Sequence, residues 1–221
     1  MRKVSAIIVA AGAGKRFGSA KQFALLRGKS VLERSLEAFA AHPEVDEIVL
    51  VLPAEEGGAP YRKRCGKVIA VLRGGKRRQD SVVRGFERLD SGPADIVLVH
   101  DGVRPLVGRE VITRVIAKAR ECGAAVAAIP VEDTIKEAAG GVVVRTLERE
   151  KLQCVQTPQA FAREVLDRAL RKAREDGFYG TDEAALVERT GHPVAVVPGD
   201  RRNIKITTAA DLKIAEAFLE D

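Results

Sequence analysis

The sequence predicts an α/β fold: a Rossmann-like, mostly parallel sheet with helices on both faces, plus a projecting β-hairpin arm. Three observations carry this reading. Short apolar runs rich in Val and Ile recur along the chain, segments of helical spacing separate them, and one stretch, residues 132–150, breaks the alternation. At 221 residues the chain fits one domain, residues 1–221, since single cores grow to roughly 250 residues before splitting.

In chain order, SAIIVAA (residues 5–11) reads as the first strand, and Leu32, Leu36 and Phe39 mark a helix after it. EIVLVLP (47–53) and KVIAVLRG (67–74) are the next strands, followed by a helix carrying Val82, Val83 and Phe86. DIVLVHD (95–101) is a strand, and Val111, Ile112, Val115 and Ile116 line the helix behind it. AAVAAIPV (124–131) and VAVVPG (194–199) close the set of strands, with a helix carrying Val165, Leu166, Ala169 and Leu170 between them. The runs are continuously apolar, as in strands buried on both faces, and strand–helix alternation implies parallel strands joined by right-handed crossovers. In such sheets ligands gather at the carboxyl ends of the strands.

The exception is EDTIKEAAGGVVVRTLERE, residues 132–150, in which two strand-forming runs flank AAGG. This is a hairpin pattern. Charged residues are interleaved and no helix covers it, and two isolated strands are marginal in water, so the arm is expected to pack on a second copy of the chain as a homodimer. An ordinary surface hairpin is the alternative.

Net charge is +6, with 37 Lys and Arg, which suits nucleic acid, an anionic membrane surface or a small polyanionic substrate. With seven Phe, two Tyr and no Trp, aromatics for stacking bases are sparse, so nucleic acid is not expected. No apolar run approaches the roughly 18 residues that span a bilayer, and the first apolar stretch is too short for a secretory signal, which predicts no membrane segment and a cytoplasmic location. Cys65, Cys122 and Cys154 are widely separated and form no C-x-x-C, against both a disulfide framework and a zinc site. They read as buried or half-buried free thiols. YRKRC (61–65) and RKARE (171–175) read as solvated helix faces.

The motifs of interest follow strands. AGAGKRFGSAKQF (11–23) offers glycines whose backbone N–H groups can approach a phosphate chain. It is not a Walker loop, because Val9 stands at the first glycine position and Arg16 where Ser or Thr should follow Lys15. Nor is it a dinucleotide fingerprint, because Phe17 occupies the third glycine position. Lys15, Arg16 and Lys21, so close to one strand end, point to a polyphosphate. In VLVHDGVRPLV (97–107), Asp101 ends a strand and could hold a Mg²⁺ that bridges phosphate oxygens, with an Asp-Gly turn as the lesser alternative. His100 reads as a core residue. GGKRRQDSV (74–82) offers glycines and Ser81 near a helix start, a weak signal alone, and GDRRNIKITT (199–208) carries Lys205, which by itself reads as surface charge.

Together AAGAGKRFG, KQF, VHDGVRP, DT at 133–134, TPQAF, TDEA and NIKIT, in this order and spacing, closely resemble the 2-C-methyl-D-erythritol 4-phosphate cytidylyltransferases of the non-mevalonate isoprenoid pathway, from Val9 to Leu212. The resemblance implies a nucleotidyltransferase domain that binds CTP through Ala10, Ala11, Gly12 and Gly14, with Arg16 and Lys21 on the reacting phosphate. It implies that Gly75 and Ser81 face the cytosine and ribose, that Asp101 lies near Mg²⁺, and that Arg104 lies near the methylerythritol phosphate. It further implies that the arm gives Thr134 and Arg149 to the partner subunit's substrate, while Lys205 positions that phosphate from its own chain.

The implied reaction is attack by a phosphate monoester oxygen on the α-phosphorus of CTP, releasing pyrophosphate. The monoester's second pKa is about 6, so the nucleophile is already ionised and no general base is required. The obstacle is charge, which calls for fixed cations and positioning. A cytidylyltransferase for ribitol 5-phosphate is the nearest alternative; a nucleotidyltransferase for another base and a non-catalytic nucleotide-binding module are the others.

Overall fold

A computed structural model describes residues 2–14, 16–54, 59–90, 92 and 95–220. In chain order the elements are β1 (Val4–Val9), a small ribbon of β2 (Leu25–Leu26) and β3 (Lys29–Ser30), α1 (Val31–Ala40), β4 (Glu47–Leu52), α2 (Ala59–Arg64), β5 (Val68–Arg73), α3 (Arg78–Glu87), β6 (Ile96–Asp101), α4 (Arg109–Cys122) and β7 (Ala124–Pro130). Then come the hairpin β8 (Lys136–Ala139) and β9 (Val142–Thr146), β10 (Gln153–Ala162), α5 (Arg163–Glu175), α6 (Glu183–Glu188), β11 (Ala195–Pro198) and α7 (Ala209–Ala217).

Among the described residues seven strands form one sheet, in the order β11-β7-β10-β6-β1-β4-β5. The pairs β6–β1, β1–β4, β4–β5 and β7–β11 are parallel, whereas β10 runs antiparallel to both β6 and β7. The continuous apolar runs have the expected meaning. Val4, Ala6 and Ile8 of β1, Ile48, Leu50 and Leu52 of β4, and Ile96 and Leu98 of β6 pack with α1 and α4 on one face. The alternate residues Ile7 and Val9, Val49 and Val51, and Val97 and Val99 pack with α3, α5 and α6 on the other. Side chains alternate across a strand, so a sheet covered on both faces needs no polar positions.

The chain steps from β1 to β4 on one side and returns to β6 on the other. The carboxyl ends of β1 and β6 therefore lie side by side, with Val9 opposite Asp101, at the switch point where α/β sheets bind ligands. A third cluster, Leu26, Val31, Val103, Ile206 and Ala215, packs beneath this edge. Ile206 N–H donates to Val103 O at 2.8 Å, which carries the 203–207 segment up to Asp101.

Two sequence expectations need amendment. The sequence reading has no strand at QCVQTPQAFA, yet β10 inserts there between β6 and β7. Its Pro158 and its pattern of three exposed residues followed by seven buried ones match no simple strand template, and the pairing register to β7 shifts between Val155 and Gln159, the interval that holds the proline. Cys154 is exposed, where a buried or half-buried thiol is expected, because it lies on the solvated first part of β10 near the arm. Cys65 and Cys122 are half-buried, and all three are free thiols. β8 and β9 pair with each other in a separate two-stranded sheet around Gly140 and Gly141, both at positive φ. Every residue of both strands is exposed, including Val142, Val143 and Val144 at 69%, 56% and 59%. No helix among the described residues is long and apolar enough to cross a membrane.

Candidate functional site

After β1 the chain runs on in residues 10–14, and residues 16–20 lead into a short 3₁₀ turn, Lys21–Phe23. Gly14 makes a bend feasible: it sits at φ +66°, its carbonyl accepts from Phe17 and Gly18 N–H, and a Cβ there would lie 1.8 Å from Ser19 O. Buried Gln22 donates from Nε2 to Gly12 O at 3.2 Å and ties the loop to the turn. Ala10 N–H is committed to Val51 O at 2.8 Å, continuing the ladder, so the loop's open backbone begins beyond it. Arg16 is exposed and Lys21 half-buried on the cleft, while Lys15 lies outside the described residues.

The second glycine loop leans on the first. Gly74 N–H donates to Leu52 O at 2.7 Å, and a Cβ on Gly74 would sit 2.2 Å from the Ala11 Cβ, an approach only glycine permits. Gly75 N–H donates to Ser81 Oγ at 3.0 Å, and that hydroxyl donates to Arg77 O at 3.2 Å. Ser81 thus shapes the loop from the first turn of α3. Next to it the consecutive arginines part. Both line the cleft, but Arg77 stacks over Tyr179, 3.5 Å from the ring centroid, while Arg78 reaches buried Asp101.

Asp101 is 6% exposed and forms the electrostatic centre. Its Oδ1 accepts from Arg78 Nε at 2.8 Å, its Oδ2 pairs with Lys205 Nζ at 2.7 Å, and Arg104 Nε stands 3.9 Å away. Burial alone would raise its pKa, but Arg78 and then Lys205 override burial and hold the carboxyl well below the usual carboxylate range. Arg78 also donates from Nη1 to both oxygens of buried Glu183, at 2.8 and 2.9 Å. Lys21 is lowered from its ordinary value, first by burial and then by the neighbouring charges of Lys205 and Arg16.

Behind Asp101 a hydrogen-bond chain fixes the strand end. Asp101 N–H donates to Thr157 Oγ1 at 3.0 Å; Arg104 O, which can only accept, takes His100 Nε2–H at 3.3 Å, so in the neutral ring Nδ1 accepts the Thr157 hydroxyl proton at 3.1 Å. His100 is fully buried, as a core histidine should be, and burial pushes its pKa down to about 3. The unfolded chain, titrating near 6.5, binds more protons than the folded one between those values. This histidine's contribution to stability is therefore whole above pH 6.5 and is lost as pH falls toward about 3. The expected slope is about 1.4 kcal/mol per pH unit within that window. Carboxylates held low, such as Glu33 and Asp211, add to the slope in the same range, so urea unfolding should show a slope steeper in the wild type than in His100→Gln; equal slopes would contradict it.

The cleft that results has a volume of about 460 Å³ and unites Ala10, Ala11, Gly12, Arg16, Lys21, Gly75, Ser81, Asp101 and Lys205, drawn from separate stretches of sequence. Gly14 shapes its rim, and Arg104 lies behind Asp101, donating from Nη1 to Asn203 O at 2.7 Å. Thr134 and Arg149 are not brought there: both are exposed on the arm, with Arg149 Nη1 donating to Glu132 O at 2.9 Å. A roomier groove of about 660 Å³ between α3 and α5 touches none of the strand-end loops. Sequence reasoning missed Arg78, Glu183 and Thr157. Arg78 is one of three consecutive cations, and nothing in such a run says which one pairs with buried acids; the other two stand in TDEA and TPQAF, motifs that mark a likeness without displaying a chemistry.

By sequence, residues 4–221 match the family described as IspD, 2-C-methyl-D-erythritol 4-phosphate cytidylyltransferase. The enzyme of that name from Geobacter metallireducens is 43% identical over 229 residues, covering 99% of this chain and 98% of its own. Its counterpart from Symbiobacterium thermophilum is 47% identical over 221 residues, covering 99% and 93%. Among solved structures, that of the 2-C-methyl-D-erythritol 4-phosphate cytidylyltransferase from Thermus thermophilus superposes with a TM-score of 0.84 at 39% identity, covering 99% of this chain and 100% of that one.

Proposed function

The chain belongs to the 2-C-methyl-D-erythritol 4-phosphate cytidylyltransferase family, and from that premise we propose how its own residues carry out the reaction. It is a cytidylyltransferase that transfers CMP from CTP to 2-C-methyl-D-erythritol 4-phosphate, a step of isoprenoid precursor biosynthesis. A phosphate oxygen of the alcohol phosphate attacks the α-phosphorus, the bond from that phosphorus to the β-phosphate bridging oxygen breaks, and pyrophosphate leaves with the electron pair. The observation that carries this reading is the gathering of Arg16, Lys21, Arg78 and Lys205 on one small cleft walled by two glycine loops. Such a site stabilises charge building on phosphoryl oxygens. No base is needed, and His100, the nearest imidazole to Asp101, is buried and held neutral.

Arg16 and Lys21 serve the α-phosphate, the amide groups beyond Ala10 serve the phosphate chain, and the Gly75–Ser81 loop faces cytosine and ribose. Mg²⁺ fits this site on one condition. Such an ion takes one or two carboxylates, here Asp101 on the cleft, with phosphate oxygens and water. The condition is that Lys205 leaves Asp101 Oδ2, which frees its ammonium for the phosphate of the second substrate. When bound, the ion would neutralise charge on the triphosphate.

Arg104 stands close to where that phosphate would lie, and Thr134 and Arg149 reach it from a partner's arm. The arm's exposed Val142, Val143 and Val144 support this, since three consecutive bare valines on an unsupported hairpin call for a covering surface. Light scattering at micromolar concentration should give twice the 23.8 kDa chain mass; a monomeric mass would remove the arm from the mechanism. The three free thiols suit a reducing compartment, and we place the protein in the cytoplasm. Pyrophosphate release tests the whole reading: CTP with 2-C-methyl-D-erythritol 4-phosphate should turn over, and an equal or higher kcat/KM with ribitol 5-phosphate would overturn it.

A further inference from the structure

Glu183 is the most deeply placed carboxylate near the cleft, 1% exposed, and it does not line the cleft itself. Burying a carboxylate is costly unless it is paired, and an apolar side chain would fill the space at lower cost. Its partner is Arg78, whose Nη1 donates to both of its oxygens. The same guanidinium donates from Nε to Asp101 Oδ1. A planar, rigid fork gripped on two edges has little freedom left, which a lysine ammonium could not reproduce. The third nitrogen, Nη2, is a buried donor with no partner on a side chain that lines the cleft.

The segment that delivers Glu183 is itself bolted down on two sides. Asp182 caps α6 by accepting from Ala185 N–H at 3.0 Å and also accepts from Gln159 Nε2 at 2.7 Å, while Gln159 Oε1 accepts from Ala184 N–H at 3.1 Å. On the other side Gln79 Oε1 accepts from Gly180 N–H at 3.0 Å, and its Nε2 donates to Phe178 O at 3.2 Å. Both amides span the gap between this segment and the sheet or α3. The TDEA motif thus sits as a fixed support behind Arg78.

We propose that Glu183 is a positioning residue for cytidylyl transfer that acts through Arg78: its carboxylate locks the guanidinium so that Nε holds and orients Asp101 at the edge of the cleft. This rests on the cytidylyltransferase reading above. Without Glu183, Arg78 keeps one anion in reach, Asp101, and is free to turn both faces of its fork onto it, which changes the orientation of the one carboxylate on the cleft. The consequence falls on the geometry of the reacting phosphates rather than on the hold on the nucleotide base.

The test is a double-mutant cycle on the full-length protein, with kcat, KM and CTP dissociation constants measured well below each variant's melting point. Wild-type turnover of CTP and 2-C-methyl-D-erythritol 4-phosphate comes first, and its absence would sink the functional reading rather than this one. Given turnover, Glu183→Gln and Arg78→Lys should each lower kcat at least tenfold while the CTP dissociation constant moves less than threefold. The double variant should be within twofold of the worse single variant, because both break one unit. If Glu183→Gln retains kcat within twofold, or if the two losses multiply, Glu183 is structural only and the proposal fails. Should Glu183→Gln not fold, Glu183→Asp, which keeps the charge but shortens the reach, takes its place in the same cycle with the same criteria.

Discussion

Replacing Lys21 with Ala is expected to lower kcat about 10²-fold while CTP binding changes far less. The size follows from removing one preorganised charged donor at a phosphoryl centre, on the order of 3 kcal/mol of transition-state stabilisation. The structure explains why Lys21 should act on the transition state. Its ammonium is half-buried and crowded by Lys205 and Arg16, so its pKa is lowered by burial first and by those two cations next. The resting site holds like charges together at a cost that a triphosphate relieves, and most fully when negative charge peaks on the oxygens around the reacting phosphorus. Steady-state rates with calorimetric CTP binding will check this. A Lys21→Ala variant with wild-type kcat, or one that simply fails to bind CTP, would remove Lys21 from that role.

The second large effect divides between two subunits. Lys205→Ala and Arg149→Ala should each reduce kcat/KM for the sugar-alcohol phosphate by about 10- to 100-fold, the range for losing a charged hydrogen-bonding partner, and both should retain CTP affinity. Lys205 lies in the cleft of its own chain, 2.7 Å from Asp101, while Arg149 sits on the exposed arm. If the arm serves the neighbouring site, a heterodimer of the two variants contains one site lacking both residues and one site lacking neither. Random reassembly of equal amounts makes half the dimers mixed, so about a quarter of wild-type activity should return. No recovery on mixing would place both residues in the same site of one chain or exclude Arg149 from the reaction.

Much of the fold was legible because strands buried on both faces are simple objects. Ile7 and Val9 face one core and Ala6 and Ile8 the other, and either face alone would have demanded an apolar residue. The hairpin was legible for the opposite reason, since its turn glycines stand between runs that no core could absorb. β10 was hidden because Pro158 argues against a strand and its short exposed start and longer buried stretch obey different rules. Of the site, Arg16, Lys21 and Asp101 could be singled out because each follows closely on a strand end or a glycine motif, whereas Lys205 alone reads as surface charge and gains a role only through the family resemblance. Arg78 and Glu183 could not. Their meaning lies in a contact across 105 positions of sequence, between the first residue of one helix and the first residue of another. A buried acid beside a helix start reads from sequence as an ordinary first-turn carboxylate.

The antiparallel insertion of β10 also sets the order in which the molecule can be built. As the chain leaves the ribosome, β5, β4, β1 and β6 can associate once residue 101 has emerged, with α3 already available to cover one face. The outer edge of β6 then stays open until residues 153–162 appear, because β7, although made earlier, joins the sheet through β10. For that interval IVLVHD presents an unpaired apolar edge, the kind of template on which nascent chains pair with one another. A polypeptide interrupted anywhere in the arm would carry that edge permanently, so the arm is a stretch in which premature termination yields an aggregating species rather than a shortened enzyme.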